Sequence, residues 1–180
     1  MMDGVEFDLR LTADDQLVVH HDHIVSVSED LLDGRSEYVE EWNLKELEEV
    51  GFCSFEKLMS DKEWLVPWQE HSKVACLEIK RSLPHISKDP TKRMARVMEL
   101  ASEMVDEADI HAEAAVFYAF HRPMAKVAKL SGSNRPWSRL LPIVPRTGSH
   151  KSKRFRAAPE FIAYSFARLL RSQKKSGAPM

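Results

Sequence analysis

The clearest pattern in the chain is a run in which apolar and charged residues alternate, Val5-Glu6-Phe7-Asp8-Leu9-Arg10-Leu11. A period of two marks a strand, with residues i and i+2 on one face. Glu6 and Asp8 therefore project together, while Val5, Phe7 and Leu9 face the other way. Ala13-Asp14-Asp15-Gln16 reads as a polar turn, and Leu17–His20 as a returning strand or a short continuation. No period holds from His23 to Tyr38, which predicts a long irregular loop. Trp42–Gly51 predicts a short helix with Asn43 as N-cap, Leu44, Leu47 and Val50 on one face, and Gly51 as its stop. Phe55–Trp68 predicts a second helical or irregular piece ending at Pro67.

The second half is more regular. Val74–Lys80 alternates Ala75, Leu77 and Ile79 against Cys76, Glu78 and Lys80, so a carboxylate and an ammonium share one strand face. Asp89–Ala108 carries Met94, Val97, Met98, Ala101 and Val105 at helical spacing. Ala114–Phe120 is an apolar strand, Pro123–Leu130 a helix, and Leu140–Val144 one more strand, weakened by Pro142. Pro159–Gln173 predicts a final amphipathic helix. Strands alternating with helices from residue 74 onward predict an α/β fold with βαβ units, a parallel sheet and about five strands.

Composition narrows this modestly. The 180 residues suit about one domain. No stretch approaches the ~18 apolar residues of a membrane span, and no apolar core of a signal peptide is visible. Cys53 and Cys76 form neither a disulfide framework nor a zinc pattern. A reducing, cytoplasmic setting is the expectation. The net charge of −2 hides an asymmetry: residues 1–70 hold 19 Asp/Glu against 5 Lys/Arg, and residues 146–180 hold 9 Lys/Arg against Glu160. The expected division is residues 1–145 as the folded domain and residues 146–180 as a basic loop with its helix. The tail reads first as a solvated surface. An anionic membrane surface is a weaker partner for it, and nucleic acid is not expected.

The candidate chemistry sits in the first strands. Buried carboxylates need a partner, and a divalent cation is a common one. Glu6 and Asp8 read either as a solvent-facing strand side or as oxygen ligands. His21 alone reads as a surface histidine or a proton-transfer group, Lys80 as an ion-pair partner of Glu78 or an anion contact, and Asp22 as an orienter of His21 or a loop cap. His111 and His121 read as structural histidines.

The stretch Asp3–Asp22, with Glu6-x-Asp8, Thr12-x-Asp14 and Leu17-Val18-Val19-His20-His21-Asp22, resembles the glycerophosphodiester phosphodiesterase family. Leu77-Glu78-Ile79-Lys80 resembles that family's next strand motif, and the helix around Asn43–Val50 a segment that lies between them. The resemblance covers residues 3–82 most firmly. It implies a TIM-type barrel with its site at the C-terminal strand ends, and hydrolysis of glycerophosphodiesters to glycerol 3-phosphate and an alcohol with Ca²⁺ or Mg²⁺. It further implies Glu6, Asp8 and Glu78 as metal ligands, His21 as a general acid/base, Lys80 as the phosphate contact, and Asp22 as a residue supporting the site. His20 falls at a variable position and is expected to point away.

The family also carries a His-Arg-Gly strand with a second acid/base histidine, for which this sequence has no counterpart. The expectation is therefore a partial, truncated barrel, weakly active or inactive alone. The alternative is a non-catalytic metal- or anion-binding fragment, or a subunit that completes a barrel with a partner or a second copy.

Overall fold

Strand β1, Gly4–Leu11, is the spine of the sheet, and it is bordered differently on its two sides. The protein is described here by a computed structural model, which covers residues 4–28, 32, 34–70, 73–120, 123–140 and 163–164. After β1 the Thr12–Gln16 turn is closed by side chains. Thr12 Oγ1 donates to Asp14 Oδ1 (2.6 Å) and accepts from Gln16 N–H (2.9 Å), while Asp15 adopts a positive φ of 60°. The chain returns as β2, Leu17–Val19, antiparallel to β1 with Leu11 opposite Leu17. Asp14 also accepts from Leu44 N–H, which ties the turn to helix α1, Leu44–Glu49. Asn43 and Glu46 cap α1 reciprocally, and Gly51 follows at φ +94°.

Then come β3 (Cys53–Ser54), α2 (Phe55–Ser60), α3 (Lys62–Glu70), β4 (Val74–Ile79), α4 (Pro90–Glu107), β5 (Ala115–Ala119), α5 (Met124–Ser131), β6 (Trp137–Leu140) and β7 (Ala163–Tyr164). The sheet order is β3-β2-β1-β4-β5-β6-β7. Pairings from β1 through β4, β5, β6 and β7 are parallel, and those of β2 with β1 and β3 are antiparallel. Among the described residues the sheet does not close on itself.

Four sequence expectations need correction. The strands among the described residues number seven rather than about five. Pro67 does not end a helix but lies inside α3. Its lost hydrogen bond is outweighed by anchoring indoles: buried Trp68 donates to Ala114 O at 3.0 Å, and Trp64 meets Phe7 edge-on at 4.9 Å. The sixth strand is Trp137–Leu140, so the predicted strand begins earlier, and its remainder, residues 141–144, lies outside the described residues. Within the predicted helix Pro159–Gln173, Ala163 and Tyr164 form a strand, because the open edge of β6 offers them backbone partners at Arg139 and Leu140. The rest of that helix, the basic loop and the boundary at 145/146 lie outside the described residues.

Period two in the strands and the helical spacing of α4 meet in one core. Leu9, Leu11, Leu77, Ile79 and Phe117 pack against Met94, Val97, Met98, Ala101 and Val105, all nearly inaccessible. Each such side chain stabilises the fold by about 1.5–3 kcal/mol relative to exposure. A smaller cluster of Val18, Val25, Val39, Trp42 and Leu47 gathers beneath the loop after β2. Helices cover one face of the parallel strands, and the alternate residues are left to line the other.

Candidate active site at the strand ends

The other face is built by register. Asp8 of β1 stands opposite Glu78 of β4, Glu78 opposite Tyr118 of β5, and Tyr118 opposite Ser138 of β6. One step toward the strand starts, Glu6 stands opposite Cys76. Facing pairs in a parallel sheet share a side, so this row points to one surface. The ligand-type oxygens of Glu6, Asp8 and Glu78 lie within 4.8 Å of one another. Glu6 is exposed, Asp8 half-buried and Glu78 buried.

Three negative groups this close repel one another, and the structure shows what offsets that. Lys80, just beyond β4, reaches Asp8 Oδ1 at 2.8 Å and Glu78 Oε1 at 2.9 Å. Its backbone N–H donates to Leu9 O, which fixes where the side chain starts. Tyr118 Oη donates to Glu6 Oε1 at 2.6 Å. Burial, and then the hydrogen bond to Glu6, push the Tyr118 phenol far above its ordinary value, so it remains a donor. Although Glu6 is exposed as a whole, partial desolvation of its carboxyl holds it above the usual carboxylate range, with its acidic neighbours adding and the Tyr118 bond opposing. Burial, with Glu6 beside it, pushes the Cys76 thiol up and keeps it protonated.

The donor set fits a hard cation. It is all oxygen and all carboxylate, as Ca²⁺ and Mg²⁺ prefer, and an ammonium already occupies part of the same anionic space. The structure thus brings together Glu6, Asp8, Glu78 and Lys80 from two strands 70 residues apart.

His21 is placed differently. It opens the loop after β2, beside His20, whose N–H continues the ladder to Asp8 O at 2.9 Å. The His21 ring is exposed, and its Nδ1 meets Asp22 Oδ1 at 2.7 Å. Because a carboxylate only accepts, Nδ1 carries the proton and Nε2 presents a lone pair when the ring is neutral. The His21 ring bonds to neither the carboxylates nor Lys80 among the described contacts. His20 turns to Phe52, ring centroids 4.6 Å apart, with Nε2 at Ile24 O. His111 Nδ1 accepts from Glu113 N–H at 3.4 Å in the turn before β5. His121 lies outside the described residues.

Two residues of this region escape a reading of the sequence. Tyr118 looks like one more apolar strand residue, and the signal would have been its phase: Val116, Tyr118 and Phe120 alternate against the core residue Phe117. Arg10 continues the Glu6–Asp8 face by two, yet it is almost fully buried. It donates to His21 O through Nη2 (2.7 Å) and Nε (3.3 Å), to Glu40 Oε1 (3.1 Å) and to His23 Nδ1 (3.1 Å). Arg93 of α4 lies 3.7 Å from Glu40 Oε2 and donates to Leu11 O and Thr12 O. This buried group pins the backbone that carries His21.

The same group predicts a pH response. Arginine only donates, so His23 Nδ1 accepts and the ring is neutral. Burial first, and the Arg10 charge second, hold His23 below the ordinary histidine value. The unfolded chain therefore binds this proton more tightly than the folded one, and stability rises with pH across the interval. The contribution is complete above about 6.5 and is lost as pH falls toward the lowered folded value. Urea unfolding at pH 7.5 and pH 5.5 should show a lower midpoint at pH 5.5, with the difference reduced in His23→Gln. An unchanged pH response in that variant would remove His23 from the account.

These elements define a class: an α/β sheet of the barrel type, open among the described residues, with a cluster of carboxylates on one face of its central strands. The model of the glycerophosphoryl diester phosphodiesterase family matches residues 2–122, and the chain belongs to that family. No curated protein matches the chain. Similar solved structures include a phosphodiesterase of Oleispira antarctica in complex with the product sn-glycerol-3-phosphate, at 14% identity and TM-score 0.60, covering 98% of this chain and 70% of that one. A glycerophosphodiester phosphodiesterase of Parabacteroides distasonis matches at 19% identity and TM-score 0.53, covering 79% of this chain and 53% of that one. One from Thermotoga maritima matches at 18% identity and TM-score 0.51, covering 86% and 56%. At these identities the likeness establishes the fold, that of a partial TIM barrel. The chain spans little more than half the length of the Parabacteroides and Thermotoga proteins.

Proposed function

We propose that this chain carries the cation-binding and phosphate-binding part of a glycerophosphodiester phosphodiesterase centre, acting on phosphoric diesters of glycerol to release glycerol 3-phosphate and an alcohol. The observation that carries the reading is the convergence of Glu6, Asp8 and Glu78 within 4.8 Å, with Lys80 at 2.8 and 2.9 Å from two of them, in a chain of this family. Glu6, Asp8 and Glu78 would hold Ca²⁺ or Mg²⁺, which supplies charge neutralisation at the phosphoryl oxygens when bound.

The chain's own groups do the rest. Lys80 turns its ammonium from the carboxylates to a phosphate oxygen. His21 takes a proton at Nε2 from the glycerol hydroxyl that attacks phosphorus, which forms a cyclic phosphate as the P–O bond to the alcohol breaks. Water then opens that ring to glycerol 3-phosphate, and Asp22 holds Nδ1–H throughout. Asp22 is kept below the usual carboxylate range by that hydrogen bond, so it stays an acceptor. The departing alcohol needs a proton from a second acid.

Glycerol 3-phosphate release from glycerophosphocholine tests this. It should be lost on adding EDTA, restored by Ca²⁺ or Mg²⁺, and reduced about 10²–10⁴-fold in His21→Ala. Release that survives EDTA, or is unchanged in His21→Ala, would overturn the reading. One observation supports a second reading: the described sheet ends at β3 and β7 without closing. A second copy or another polypeptide then supplies the remaining wall, and light scattering should show mass rising with protein concentration.

A further inference from the structure

We infer that Tyr118 is a positioning residue for the cation site, acting through Glu6. This rests on the metal-binding reading above. Of the three carboxylates, Asp8 and Glu78 are held by the Lys80 ammonium, and both stand in the row nearest the strand ends. Glu6 lies one step back, is exposed, and swings on a longer side chain than Asp8. Left to itself it would spend much of its time in water, and ordering it on cation binding would cost side-chain entropy.

Tyr118 removes that freedom. It stands on β5, two strand spacings or roughly 10 Å from β1, and reaches diagonally past Glu78 to put Oη 2.6 Å from Glu6 Oε1. The distance is that of a charge-assisted O–H···O⁻ bond. The phenol takes one Glu6 oxygen, and the other oxygen would be left to ligate a cation. The phenol is nearly buried, and its ring lies against Phe120 at 6.3 Å, so it is itself fixed. Groups that orient a ligating side chain in this way affect metal affinity by about 10–100-fold.

The test is calorimetric titration of the whole chain with Ca²⁺ alone, in wild type, Tyr118→Phe, Glu6→Gln and the double variant. Tyr118→Phe keeps the ring and should leave the unfolding midpoint of the cation-free protein unchanged, while weakening Ca²⁺ binding about 10–100-fold. In the Glu6→Gln background the same change should bring no further loss, because the group through which Tyr118 acts is already altered. Wild-type affinity in Tyr118→Phe, or an equal loss in both backgrounds, would overturn the inference while leaving the cation site standing. A wild type that binds neither Ca²⁺ nor Mg²⁺ would overturn the metal-binding reading and the inference with it.

Discussion

Replacing Glu78 with Gln is expected to weaken Ca²⁺ or Mg²⁺ binding by more than ~100-fold, beyond the range for losing a group that only supports a ligand. The size follows from position. Glu78 stands on the middle strand of the three, between Asp8 and Tyr118, and is the most buried of the cluster. Its carboxylate shares the Lys80 ammonium with Asp8. The amide keeps the shape but removes one of three negative charges, while the Lys80 ammonium remains 2.8 Å from Asp8. The cation would then meet a site with little net attraction. Titration calorimetry of the folded variant measures this directly. A loss below tenfold would mean that the cation sits elsewhere.

Arg10→Met is expected to cost about 3–5 kcal/mol of folding stability, the range for removing one partner of a buried ion pair. The Arg10 and Glu40 side chains are 3% and 2% exposed. Without the guanidinium, Glu40 Oε1 loses its partner at 3.1 Å, and Arg93 remains 3.7 Å from the other oxygen. The His21 carbonyl and His23 Nδ1 lose their donors as well. Burial lowers the Arg10 affinity for its proton, with Glu40 opposing. A companion change tests the mechanism. Arg10→Met with Glu40→Leu removes both charges and should recover much of the loss, because a well-packed apolar pair avoids the stranded carboxylate. Urea unfolding of the two variants checks this. A single variant as stable as wild type, or a double variant no better than the single, would remove the buried pair as the cause.

The local parts of this protein were legible in its residues. The alternation of Val5 to Leu11 sets a strand with Glu6 and Asp8 on one face, because successive side chains in extended backbone point oppositely. The same rule separates Glu78 and Lys80 from Leu77 and Ile79. Helical spacing of Met94, Val97, Met98, Ala101 and Val105 sets the side of α4 that meets the sheet. Asn43 and Gly51 mark the ends of α1 because one caps amides and the other tolerates positive φ. Each of these depends on neighbours within a turn or two.

What was not legible depends on which strands become neighbours. Pro67 inside α3 and the strand at Ala163–Tyr164 run against local preference, and distant partners decide both: Phe7 and Ala114 for the first, Arg139 and Leu140 for the second. Arg10 has no sequence signal that names Glu40, 30 residues away across an irregular loop. Tyr118 gains its role from a register that sets it beside Glu78, within reach of a residue 112 positions earlier. A single residue of slip would turn it to the opposite face. The residue pattern thus specifies which side chains share a face, since that follows from backbone geometry. Which faces meet, and hence that three carboxylates, a lysine and a tyrosine form one site, follows from the pairing of β1, β4 and β5 in space.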